Sequence, residues 1–188
     1  MNELVHAGAR LQEFLLARQW KFCFIGGIAL ARWGALRVTD DLDLSLLTGF
    51  GREQDFVEPL LARYAARTPN ASEFAVRSRV LLLQSDEGFG VDIALAALPV
   101  EERIIARASP FPYLPGVELI TCSAEDLVVL KAFANRPQDV IDVQSVVARQ
   151  QGRLDWNLID DELTPLVELK EEPEILEWVR KLRQQWGP

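Results

Sequence analysis

Asp41 and Asp43 stand one residue apart in Asp41-Leu-Asp-Leu-Ser-Leu46, where polar and apolar residues alternate with period two. A strand with that pattern sets both carboxylates on one face and turns Leu42, Leu44 and Leu46 toward a core. Two carboxylates held this close repel each other unless a positive charge lies between them, and a hard divalent cation with oxygen ligands meets that need best. The pattern therefore reads as a magnesium site. By the same alternation Asp40 falls on the opposite face, which assigns it to a turn or a helix cap.

Two further features carry chemistry. Upstream, the apolar run Phe22-Cys-Phe-Ile25 stops at Gly26-Gly27, and a helix of about two turns follows. Paired glycines free the backbone for positive φ and let N–H groups face an anion at the positive end of that helix, an arrangement suited to phosphate. Downstream, Val91, Ile93 and Leu95 alternate with Asp92 and Ala94, so Asp92 points away from the large apolar residues. Each feature alone has a structural reading, a tight turn or a solvated strand residue. The three in order favour a metal triad of Asp41, Asp43 and Asp92.

The Gly26-Gly27 turn followed by Asp41-Leu42-Asp43 on the next strand resembles the signature of the nucleotidyltransferases related to DNA polymerase beta. Within that superfamily, Arg37-Val-Thr39-Asp-Asp41-Leu-Asp43-Leu and the later blocks look closest to the AbiEii-type nucleotidyltransferases, many of them toxins of bacterial toxin–antitoxin pairs. The similarity spans roughly residues 22–150.

It implies an α/β (α+β) nucleotidyltransferase fold, a mixed twisted sheet backed by helices with a helical C-terminal part. It also implies a metal-dependent enzyme that moves a nucleoside monophosphate from a nucleoside triphosphate, ATP among them, to an acceptor hydroxyl. Asp41 and Asp43 would bridge two magnesium (or manganese) ions, and Asp92 would hold the catalytic one. Gly26, Gly27, Thr39, Lys131 and Arg136 would contact the nucleotide. The acceptor could be a tRNA, a protein or a small molecule such as an antibiotic, and an antitoxin protein would be a partner. Many AbiEii-type proteins have a lysine two residues before the third acid, where this chain has Gly90.

Lys131 follows Leu127, Val128, Val129 and Leu130 on a mostly buried helix. Burial makes an unpaired lysine costly, and a reach toward a triphosphate explains it. Arg136, Asp139 and Asp142 fit a ligand site or a structural ion cluster equally well. His6, the only histidine, reads as a helix surface residue, so histidine-based metal chemistry is excluded.

These residues need elements to position them. Helices are expected over Glu3 to Arg18, Glu53 to Arg67, Pro99 to Arg107, Asp126 to Asn135 behind a Ser123 cap, and Pro137 to about Gln150. Arg153 to Trp186 is expected to be helical too, with Pro165 bending or ending one helix and Pro173 starting another. Strand-like runs are Phe74 to Arg77, Arg79 to Gln84, Phe89 to Leu95 and Val117 to Thr121, with a proline-rich loop around Pro110, Pro112 and Pro115. The organisation reads as a core over 1–121 and a helical part over 122–188.

The 188 residues suffice for one such domain with its addition, and 49% hydrophobic residues make the chain globular. A net charge of −8 works against non-specific nucleic-acid binding. No apolar run is long enough for a membrane span, and the start Met-Asn-Glu lacks a signal peptide's basic region, so a cytoplasmic protein is expected. Cys23 and Cys122 are expected as reduced thiols. The competing class is a non-catalytic nucleotide- or partner-binding module of the same fold. A dinucleotide-binding oxidoreductase is set aside, because Gly26-Gly-Ile-Ala-Leu-Ala lacks the Gly-x-Gly-x-x-Gly order.

Overall fold

The computed structural model of the chain describes residues 1–186. Its elements run α1 (Asn2–Leu16), β1 (Phe22–Phe24), α2 (Gly26–Trp33), β2 (Asp41–Leu47), α3 (Gln54–Arg63), β3 (Ala65–Ala66), α4 (Ala71–Ser78), β4 (Val80–Gln84) and β5 (Gly90–Ala96). They continue with α5 (Pro99–Arg107), β6 (Ser109–Leu114), β7 (Val117–Thr121), α6 (Ala124–Ala134), α7 (Pro137–Gln150), α8 (Trp156–Lys170) and α9 (Glu174–Trp186). The chain forms two compact units, one of residues 1–28 with 38–122, the other of residues 29–37 with those from Ser123 onward.

The first unit is organised by alternating strands. Leu42, Leu44 and Leu46 of β2, Val91, Ile93 and Leu95 of β5, and Leu81 and Leu83 of β4 are buried against Leu4, Leu11 and Leu15 of α1, Val57 and Leu60 of α3 and Ala75 of α4. Each fully buried leucine contributes on the order of 2 kcal/mol, so the register that points all of them inward is strongly fixed. The seven-stranded sheet has the order β3-β4-β5-β2-β1-β7-β6. It is mixed: β2 runs parallel to β5 and β1 to β7, while the other neighbours are antiparallel.

Three segments differ from the sequence reading. Phe74 to Arg77 is part of helix α4 and not a strand; Ala71 and Ala75, four residues apart, are its buried positions, and Asn70 and Arg79 bracket it at φ 51° and 57°. The apolar run there has helical spacing that its β-formers conceal. The expected helix from Glu53 to Arg67 stops at Arg63, because Tyr64 turns extended at φ −121°, ψ 148°, and Ala65–Ala66 then pairs with β4. The proline-rich segment is the strand β6, with Pro110 and Pro112 opposite Ile120 and Glu118. An edge strand tolerates proline because only one of its sides needs donors.

The second unit buries Leu127, Val128 and Val129 of α6, Val143, Val146 and Val147 of α7, Ile159, Leu163 and Val167 of α8, and Ile175 and Val179 of α9. Ser123 caps α6 as expected, its Oγ accepting from the Asp126 backbone N–H at 3.0 Å. Pro165 lies within α8 and does not end it. The C-terminal end of α2 is held from α7: Arg149 Nη1 donates to the Gly34 carbonyl at 2.5 Å and Gln150 Nε2 to that of Trp33 at 2.9 Å. Cys23 and Cys122 are buried thiols. Among the described residues no helix is long and apolar enough to cross a membrane.

Candidate active site

β2 and β5 run parallel with Asp43 beside Asp92 and Asp41 beside Gly90. Neighbouring residues in register share a face, so all three acids lie on the face opposite the buried leucines. Asp41 is exposed, Asp43 and Asp92 half-buried. This is the juxtaposition the period-two alternation anticipates for the two strands separately.

The glycine turn is built around one of these acids. Gly26 opens α2 at φ +56°, and a Cβ placed on it would fall 2.6 Å from Asp43 Cγ. The position therefore demands glycine twice, for the left-handed backbone and for the carboxylate pressed against it. The Ile25 N–H donates to the Asp43 carbonyl at 2.9 Å, tying the turn to β2. At Gly27 a Cβ would fall 2.7 Å from Thr39 Oγ1, and that hydroxyl donates to the Asp41 carbonyl at 3.3 Å. Thr39 thus braces the glycine turn against the start of the acidic strand. Gly26→Ala is expected to destabilise the fold by about 2 kcal/mol, from the positive φ and the displaced carboxylate together, as read from the shift of a urea unfolding midpoint. An unchanged midpoint would contradict this packing.

Arg67 is the site residue the sequence does not announce. Its Nη2 donates to Asp92 Oδ1 in a direct ion pair. The strand β3 puts it there: beyond Ala66, which lies opposite Leu83, the Arg67 N–H donates to the Leu82 carbonyl at 3.0 Å, and Leu82 stands opposite Asp92. The arginine therefore reaches across Leu82 to the acid one strand further in. Gly90 makes the room, since a Cβ there would sit 3.0 Å from Arg67 Nη1 and directly against Asp41 Oδ1. Gly90 thus leaves an empty Cβ position with the Arg67 guanidinium beside it.

Lys131 and Arg136, with Asp139 and Asp142, lie in the second unit. Lys131 is buried, and its Nζ donates to Asp139 Oδ1 at 3.0 Å and to Asp142 Oδ2 at 2.7 Å. Asp142 also accepts from Gln138 Nε2 at 3.0 Å and lies 3.5 Å from Arg37 Nε. This cluster accounts for the lysine's burial without a ligand. Arg136 extends into solvent with its side chain 80% exposed, 3.8 Å from Asp139 Oδ2. His6 is exposed on α1.

The donor set is all carboxylate oxygen, which matches the preference of magnesium or manganese. Among the described residues no three acids, histidines or cysteines converge closely enough to hold a metal as they stand. Of the three acids, Asp92 is paired with Arg67. The fit is thus one of chemistry and shared face.

No protein-family model matches the sequence, and neither does any curated protein. Solved structures do. The chain is similar to an antigenic nucleotidyltransferase-like protein from Paracoccidioides brasiliensis, with 14% identity over 93% of this chain and 91% of that one and a TM-score of 0.54. It is similar to the antibiotic-resistance factor ANT(2'')-Ia, with 15% identity, 96% and 98% coverage and a TM-score of 0.55. It is also similar to the lincosamide antibiotic adenylyltransferase LnuA in its lincomycin-bound form, with 12% identity, 73% and 92% coverage and a TM-score of 0.50. The architecture is the nucleotidyltransferase fold.

Proposed function

We propose that the protein is a metal-dependent nucleotidyltransferase that moves a nucleoside monophosphate from a nucleoside triphosphate to an acceptor hydroxyl. The observation that carries this reading is the parallel register that sets Asp92 beside Asp43, with Asp41 two residues along the same face. Crowding three carboxylates on one face costs a scaffold stability through their repulsion, whereas phosphoryl transfer uses them directly.

Asp41, Asp43 and Asp92 would hold magnesium or manganese, which when bound neutralises charge on the phosphates and lowers the pKa of an attacking hydroxyl. The chain's own groups do the rest. The first-turn N–H groups of α2, opened by Gly26 and Gly27, bind phosphate oxygens, and Thr39 keeps that turn in place. Asp92 takes the acceptor hydroxyl's proton. No covalent intermediate is needed, since in-line attack on the α-phosphorus is accelerated by positioning and charge neutralisation. Lys131 supports the helices around it through Asp139 and Asp142.

Two observations favour a small-molecule acceptor. The net charge of −8 disfavours a polyanionic RNA acceptor, and two of the structural neighbours carry names tied to antibiotics, one of them a lincosamide adenylyltransferase. The AbiEii-type alternative, a toxin with an antitoxin partner that labels tRNA or protein, uses the same acids. Each radiolabelled triphosphate should therefore be incubated with magnesium and three acceptor pools: hydroxyl-rich small molecules including antibiotics, bulk tRNA, and lysate protein. Label is expected in the small-molecule pool, and Asp92→Ala should abolish transfer while triphosphate binding survives in part. A wild-type protein that binds triphosphate, labels nothing and releases no pyrophosphate would establish the binding-module class in place of this reading.

A further inference from the structure

We propose that Arg67 is the resident counter-ion of Asp92, a positioning residue that a divalent cation has to displace before the three carboxylates can act together. This rests on the metal-dependent reading above and adds to it a competition built into the chain. Three observations carry it. The ion pair joins Arg67 Nη2 to Asp92 Oδ1, with the two side chains 33% and 37% exposed. The arginine's backbone is fixed by the bond from its N–H to Leu82, so the guanidinium is delivered across Leu82 onto the acid. Gly90, without a Cβ, leaves a space that both Arg67 Nη1 and Asp41 Oδ1 border, so the guanidinium paired with Asp92 also lies near Asp41.

A guanidinium stays charged at any working pH, so it cannot be neutralised out of the way and must move. Its partial exposure makes that movement practicable, because a half-solvated pair is weak and the long side chain can turn to water. While in place, it contributes a positive charge where the metal's charge is needed, and the two repel. Metal affinity is thereby set below what three carboxylates alone would give. The same contact keeps the acidic face partly neutral in the metal-free protein.

The test is titration of the full metal-free chain with Mn²⁺ alone, followed by electron paramagnetic resonance of the free ion, for wild type, Arg67→Gln, Asp92→Asn and the double variant. Arg67→Gln is expected to bind Mn²⁺ about tenfold tighter than wild type, and that gain should vanish when Asp92 is already asparagine. Arg67→Lys, which keeps the charge but loses the planar fork, should fall between the two. Equal or weaker binding by Arg67→Gln, or a gain that persists with Asp92→Asn, overturns the proposal while leaving the metal site standing. Failure of wild type and Arg67→Gln alike to bind Mn²⁺ overturns the metal reading and this proposal together.

Discussion

The Asp41→Asn/Asp43→Asn variant is expected to lose nucleotidyl transfer by a factor of about a thousand or more, because both substitutions remove charge from the place where a transferring phosphate needs it neutralised. The loss should also appear without turnover. A triphosphate with magnesium that binds only the folded state raises its stability by about 2.7 kcal/mol at a hundred times its dissociation constant, and the variant should show almost none of that shift. Without metal, the variant should still unfold in one cooperative transition, since the substitutions leave Leu42, Leu44 and Leu46 in the core. Calorimetry that finds equally tight triphosphate–magnesium binding by the variant would remove these two residues from the site.

Lys131→Met is expected to act on the fold. Its ammonium donates to Asp139 and Asp142 in a buried setting, so methionine of similar length would leave two buried carboxylates to each other. Removing one partner of such a cluster costs about 3–5 kcal/mol. Arg37, 3.5 Å from Asp142, and Arg136, 3.8 Å from Asp139, are too exposed to compensate fully. A triple variant that also carries Asp139→Asn and Asp142→Asn should recover much of the loss, because it removes the uncompensated charge as well as its counter-ion. A midpoint unchanged by Lys131→Met, together with weakened triphosphate affinity, would return this lysine to the phosphate-binding role its position in the sequence invites.

That lysine shows where sequence reasoning reaches its limit. From the sequence, burial and positive charge are both visible, but the partners that make burial tolerable are not. Asp139 and Asp142 come from the next helix, and only packing decides that they close on Lys131. The acidic face was readable because period-two alternation fixes side-chain direction within a strand, and Leu42 or Ile93 buried in the wrong register would be too costly. Arg67 was not readable. It stands just beyond a two-residue strand at the end of a helical pattern, and its role depends on a backbone bond to Leu82 and a missing Cβ at Gly90. Pro110 and Pro112 signalled a loop because proline usually interrupts a ladder; position at the sheet's margin reverses that inference.

The margins themselves have a consequence for how any protein could associate with this one. One border of the sheet is β3, two residues long, and the other is β6, whose prolines at 110 and 112 present no N–H. Neither offers the row of alternating donors and acceptors that an incoming extended chain would need in order to lengthen the sheet. Recruitment by strand addition is closed at both ends, and so is the stacking of copies border to border into fibrils. Whatever macromolecule recognises this surface has to read helices and loops, and its contacts would be made by side chains rather than by main chain.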